Sequence, residues 1–149
     1  MKLLKLNSNT CLEIFSANTE TELSLPFIEK GISAGFPSPA DDFLDTSIDL
    51  NKALITNPNT TFIARVKGNS LQDADIENGD LVVIDRSLEP TNGRIAICAI
   101  DGEFTAKFIK IEKDCCYLIA ANENFKPIKV TAENEFLIWG IVTNVIKKV

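Results

Sequence analysis

The chain has 149 residues, 45% of them hydrophobic, and a formal net charge of −6. That length supports one core of ordinary size, and the composition is globular rather than disordered. Acidic balance with Arg65, Arg86 and Arg94 scattered argues against a strong phosphate-binding face, and no apolar run approaches the roughly 20 residues that span a bilayer.

Residues 1 to about 40 read as an N-terminal arm, and residues 41–149 as the folded domain. The start, Met1 to Asn7, is basic but lacks the apolar stretch of a signal peptide, so a cytoplasmic location is expected. Pro26, Gly31, Gly35, Pro37 and Pro39 break up regular structure along the arm. Phe36-Pro37-Ser38-Pro39 should be extended, because each proline biases its predecessor away from the helical region. Within the arm, Leu23-Ser24-Leu25-Pro26-Phe27-Ile28 is a short apolar stretch. Two readings of it stay open: an anchor packed on its own domain or a dimer mate, and a peptide ligand for another protein.

Asp41 to Ile55 is expected to hold a short helix, capped by Asp41 or Asp42, with Leu44, Ile48 and Leu54 or Ile55 facing inward. From Thr60 the texture changes to strands. Thr61 to Val66 is one, Asp80 to Asp85 a second and Arg94 to Ile100 a third. Asp101-Gly102 reads as a hairpin turn into a fourth, Glu103 to Ile111. Cys116 to Ala120 and Glu135 to Ile146 add two more, and Ser70 to Ile76 has room for one helical turn. The fold class is therefore mostly β: short strands in a sandwich or folded barrel behind an extended arm.

Cys11, Cys98, Cys115 and Cys116 form no CxxC pair, and adjacent Cys115 and Cys116 do not easily make an unstrained disulfide. They read as reduced thiols serving as small apolar residues. No metal site and no cofactor is expected.

The chain contains no histidine, so a Ser-His-Asp triad is excluded. Ser70, in Lys67-Gly68-Asn69-Ser70-Leu71, needs a base before its hydroxyl becomes a nucleophile. Lysine serves only when neutral, which requires its free pKa of about 10.4 to fall by several units through burial among apolar groups. Lys107 lies mid-strand between Ala106 and Phe108, on the face of Thr105 and Ile109. On a solvated face it would be an ordinary surface lysine; on a buried one it is a candidate base. Gly68 permits an unusual backbone, from which the N–H groups of Asn69 and Ser70 can converge as an oxyanion hole. A helix cap in a loop is the plainer reading of the same serine. Upstream, Ala34-Gly35 offers a bond with little side-chain bulk. In an extended peptide Ile32 and Ala34 point the same way and would fill neighbouring pockets. The plainer reading is a linker.

Taken together, Ala34 to Asp42, Ser47 to Asn51, Val66 to Leu71, Asn78 to Asp85 and Asp101 to Lys107 resemble the UmuD-type members of the LexA-like self-cleaving serine peptidases. The resemblance runs from about Pro26 to the C-terminus, well over two thirds of the chain. It implies a LexA-like, signal-peptidase-like folded β domain with Ser70 as nucleophile, Lys107 as general base and Ala34-Gly35 as the autolysis site. Asn69 stands where the family usually has Asp or another residue, and Leu71 where it often has Met. A backbone role for position 69 and a volume-conserving change at 71 leave the dyad intact.

The resemblance further implies a homodimer, stimulated by a RecA filament on single-stranded DNA to cleave itself during the SOS response to DNA damage. The product would then serve an error-prone Y-family DNA polymerase in translesion synthesis, and the arm's apolar stretch would suit the sliding clamp. Neither sequence-specific DNA binding nor membrane attachment is expected: 34 residues precede the cut, without a two-helix pattern or a basic face. The alternatives are a non-cleaving polymerase- or clamp-binding module on the same fold, and a signal peptidase, against which the missing membrane anchor counts.

Overall fold

The structure is a computed structural model that describes residues 4–8, 12–27 and 46–149. The chain divides into two compact units, one of residues 18–56 and one of residues 2–17 with 57–149.

The smaller unit holds a two-stranded antiparallel ribbon, β3 (Ser24–Phe27) against β4 (Thr46–Asp49), with Leu25 opposite Ile48. Helix α1 (Leu50–Leu54) follows at once. Asp49 is its N-cap: its carboxylate accepts from Asn51 N–H at 3.0 Å. The expected helix is thus shorter than 41–55. Ile48 sits on a strand rather than a helix face, and Asp41, Asp42 and Leu44 lie outside the described residues. Among the described arm residues, Leu23 and Leu25 are exposed.

The larger unit carries nine strands in one antiparallel sheet, ordered β1-β2-β5-β6-β11-β7-β8-β9-β10. These are β1 (Leu4–Ser8), β2 (Leu12–Ser16), β5 (Thr61–Val66), β6 (Leu81–Asp85), β7 (Ile95–Ile100), β8 (Glu103–Ile111), β9 (Cys116–Ile119), β10 (Ile128–Val130) and β11 (Phe136–Ile146). The mostly β class holds, and the sequence reading locates six of these strands, β5 to β9 and β11, to within one residue at each end. Two strands break the expectation of an irregular start. β2 pairs with β5 from Leu12↔Val66 to Ser16↔Phe62, so this part of the arm is sheet. Its alternation of buried Leu12 and Ile14 with half-exposed Glu13 is the cause.

Strand alternation also explains how one sheet builds two apolar clusters. On β7, Ala96 and Cys98 join one cluster while Ile97 joins the other. On β8, Ile109 divides from Ala106 in the same way, and on β11, Ile141 divides from Val142. The hairpin turn falls at Asp101-Gly102, with φ of 47° and 85°, the positive values that a tight two-residue turn demands. β11 pairs with β6 on one side and β7 on the other, and its register shifts against each, between Ile138 and Gly140 and between Val142 and Asn144. At the first shift only glycine fits, because a Cβ on Gly140 would meet Ile84 Cγ2 at 2.5 Å.

Candidate active site

β5 delivers the chain into a turn at Lys67. Gly68 has φ of +89°, a backbone that other residues rarely adopt, and its N–H donates to Asn78 Oδ1 at 3.0 Å. Ser70 follows, then a single 3₁₀ turn over Gln72–Ala74, close to the expected helical turn. Leu71 and Ile76, 2% and 3% exposed, pin both ends of this turn into the core. Leu71 therefore does here what a larger unbranched apolar residue would do. Ser70 itself is half-buried, at the edge of that packing.

β8 brings the second partner. Lys107 is 7% exposed, so the buried reading of this lysine is the correct one. Its Nζ lies 3.2 Å from Ser70 Oγ across 37 residues of sequence. It also donates to Thr105 Oγ1 at 2.6 Å, two residues back on the same strand face. Thr105 is buried as well, so its hydroxyl fixes the end of a long side chain that would otherwise have several rotamers. Ala96 pairs with Lys107 and Cys98 with Thr105, which gives the amine apolar neighbours from β7. Burial pushes the Cys98 thiol up to about 12; Cys116 adds to the rise and the Lys107 charge opposes it. Cys98 is therefore an inert buried thiol, and Cys98, Cys115 and Cys116 are all free. Cys11 lies outside the described residues.

Asn69 and Ser70 supply the two N–H groups considered for an oxyanion hole. Among the described residues neither N–H meets an acceptor. The Asn69 carbonyl is occupied: it accepts from Gln72 N–H at 3.2 Å and from Asn122 Nδ2 at 2.8 Å. Ile32, Ala34 and Gly35 lie outside the described residues.

Sequence reasoning assigned no role to Thr105 or Asn122. Thr105 was visible as a neighbour on the face of Lys107, but the hydroxyl's use depends on where Nζ ends. Asn122 carried no local signal beyond an Asn in a polar loop.

The mostly β domain thus holds a buried lysine amine against a serine hydroxyl. Residues 26–143 match the model of the Peptidase S24-like family, and the chain belongs to that family. It is 36% identical over 135 residues to Protein MucA of Salmonella typhimurium, covering 89% of this chain and 92% of that protein. It is 37% identical over 129 residues to Protein ImpA of Shigella flexneri, covering 83% of each. With LexA repressor 2 of Xanthomonas axonopodis pv. citri (strain 306) it shares 32% identity over 125 residues, 84% of this chain and 58% of the repressor. Among the described residues no helix is long and apolar enough to cross a membrane.

Proposed function

We propose that this protein is a self-cleaving serine peptidase that uses a Ser70–Lys107 dyad to cut its own Ala34-Gly35 bond. The observation that carries the reading is the 3.2 Å approach of a buried lysine amine to a serine hydroxyl. With the amine neutral, its lone pair takes the Ser70 proton as Oγ attacks the Ala34 carbonyl carbon. The N–H groups of Asn69 and Ser70 hold the negative charge that develops on the carbonyl oxygen. Collapse breaks the bond to the Gly35 nitrogen, which leaves as an amine with the proton from Lys107. An ester between Ser70 and Ala34 remains, and water hydrolyses it with Lys107 again taking a proton. Ile32 and Ala34 occupy adjacent pockets during this sequence, and the stretch around Ala34-Gly35, not the sheet strands β1 and β2, acts as the substrate arm.

The biological setting is the SOS response. The dimeric, cytoplasmic protein meets a RecA filament on single-stranded DNA, which raises the population in which the arm is docked. The fragment beginning at Gly35 then serves an error-prone Y-family polymerase in translesion synthesis, and loss of the apolar stretch Leu23 to Ile28 changes its affinity for the sliding clamp. Membership of the Peptidase S24-like family and the similarity to MucA and ImpA support this setting.

The test is incubation of the purified chain with activated filaments, followed by N-terminal sequencing of the large product. A product that begins at Gly35 is expected, and Gly35→Glu should remain folded and uncut. No cleavage with filaments or at alkaline pH, or a product that begins elsewhere, overturns the proposal.

A further inference from the structure

We propose that Asn122 is a positioning residue for the oxyanion hole: its amide grips the Asn69 carbonyl and thereby aims the Ser70 N–H at the oxygen of the scissile carbonyl. The inference rests on the cleavage chemistry proposed above.

The peptide linking Asn69 to Ser70 is a rigid plane, and no described peptide bond is cis. In a trans plane the carbonyl and the N–H point in opposite directions. Whatever holds the Asn69 oxygen therefore sets the direction of the Ser70 N–H. Two donors hold that oxygen. One is Gln72 N–H at 3.2 Å, from within the same turn. The other is Asn122 Nδ2 at 2.8 Å, from the loop after β9. The local donor moves with the turn and cannot fix it; the Asn122 donor is anchored elsewhere.

That anchor is firm. Asn122 is 4% exposed, and its Oδ1 accepts from Asn124 N–H at 3.0 Å, which sets which way the amide faces. Next to it, the Ala121 carbonyl accepts from Asp73 N–H at 2.8 Å, clamping the far side of the Ser70 turn to the same loop. The backbone clamp places the turn; the Asn122 side chain acts on the one peptide plane that carries an N–H of the proposed hole. Held through its oxygen by Asn124, the buried amide of Asn122 presents its NH₂ to the carbonyl beside Ser70.

Asn122→Asp is the discriminating change. It keeps the shape and the acceptor for Asn124 N–H but turns an oxygen towards the Asn69 carbonyl. Asn122→Ala, which removes both bonds without a charge, is the second variant. The full-length chain is followed by gel across pH, with thermal unfolding measured in parallel. The expected result is a roughly 10²-fold fall in the plateau cleavage rate per folded molecule, similar to loss of one oxyanion donor, with the midpoint of the pH–rate curve unmoved in the uncharged Asn122→Ala. A purely structural role would lower thermal stability and leave the plateau rate at the wild-type value, and that outcome overturns the proposal. So does a shift of the pH midpoint in Asn122→Ala, which would mean that Asn122 acts through Lys107. Ser70→Ala runs alongside. Cleavage by Ser70→Ala defeats the parent reading, whereas an inert Ser70→Ala beside a fully active Asn122→Asp defeats this inference alone.

Discussion

Two polar clusters interrupt the same apolar interior, one around Asp85 and one around Lys107, and they are built to opposite ends. Asp85, 4% exposed, accepts four hydrogen bonds: from Asn57 Nδ2 at 2.8 Å, Thr60 Oγ1 at 2.7 Å, Ser87 N–H at 2.8 Å and Ser87 Oγ at 2.7 Å. Its lone pairs are filled from one local corner where β5 begins and β6 ends. Burial alone would raise its carboxyl, but the bonds from Asn57, Ser87 and Thr60 outweigh that and hold it at about 2. Lys107 is about as buried, yet the partners that β8 and the Ser70 turn give it are neutral hydroxyls, at 2.6 and 3.2 Å. One is a neighbour on its own strand and the other comes from a distant turn. A charge whose lone pairs are filled by four short hydrogen bonds is a fastener. A basic group that reaches a serine hydroxyl at 3.2 Å is placed to exchange a proton, as the proposed dyad requires. The contrast predicts that damage to the first cluster is read in stability and damage to the second in chemistry.

The largest effect should come from removing the reactive atoms. Ser70→Ala and Lys107→Ala are each expected to lower cleavage more than about 10³-fold, in line with losing a nucleophile or its base. Circular dichroism should remain that of the wild type. Normal processing by a folded Lys107→Ala protein would dissolve the contrast, because no histidine stands in as base.

Asp85→Ala tests the other side. Four donors lose their acceptor, at an expected cost of about 3 kcal/mol, which lowers the melting temperature by about 6–12 °C for a chain of this size. Cleavage per folded molecule should be unchanged. The acid limb of the stability curve should change too. The Asp85 pKa is depressed from 3.8 to about 2 on folding, so its contribution is present above 3.8 and is lost as pH falls towards 2. Urea unfolding at several pH values should show a wild-type decline in that window that Asp85→Ala lacks. An identical decline in both proteins would remove Asp85 from the account.

Thr105→Val should give the smallest change, and it probes the hydroxyl that steadies Lys107 within the second cluster. The two side chains have similar shapes, so only the hydroxyl that steadies Lys107 is lost. A roughly tenfold slower cleavage is expected, equivalent to about 1.4 kcal/mol in the barrier, with little change in melting temperature. A variant that cleaves at the wild-type rate would show that the 2.6 Å bond does not position the amine.

Much of this was legible in the chain. The absence of histidine and the Gly68-Asn69-Ser70 turn directed attention to lysine, and period-two alternation put Thr105 and Lys107 on one face. Asp101-Gly102 announced its hairpin because positive φ is demanding of residue type. These signals are local: turn chemistry and strand alternation act within a few residues of themselves. The elements that escaped are those whose stability comes from their neighbours. β2 has only five residues, and it is a strand because β5 offers Leu12 and Ile14 a place in the core. β10, β3 and β4 are shorter still. Gly140 matters because Ile84 packs where its Cβ would be, and nothing near position 140 records that.

The sequence by itself determined that a serine nucleophile here would have no histidine as base, that lysine is the candidate, and that the domain is built of short strands. Tertiary structure alone decided that Lys107 is buried, that its Nζ ends 3.2 Å from Ser70 Oγ, and that Asn122 reaches the Asn69 carbonyl. These bonds join residues 37 and 53 positions apart. Local propensity carries no record of such distances; they are set when the sheet assembles and its two faces each acquire a core.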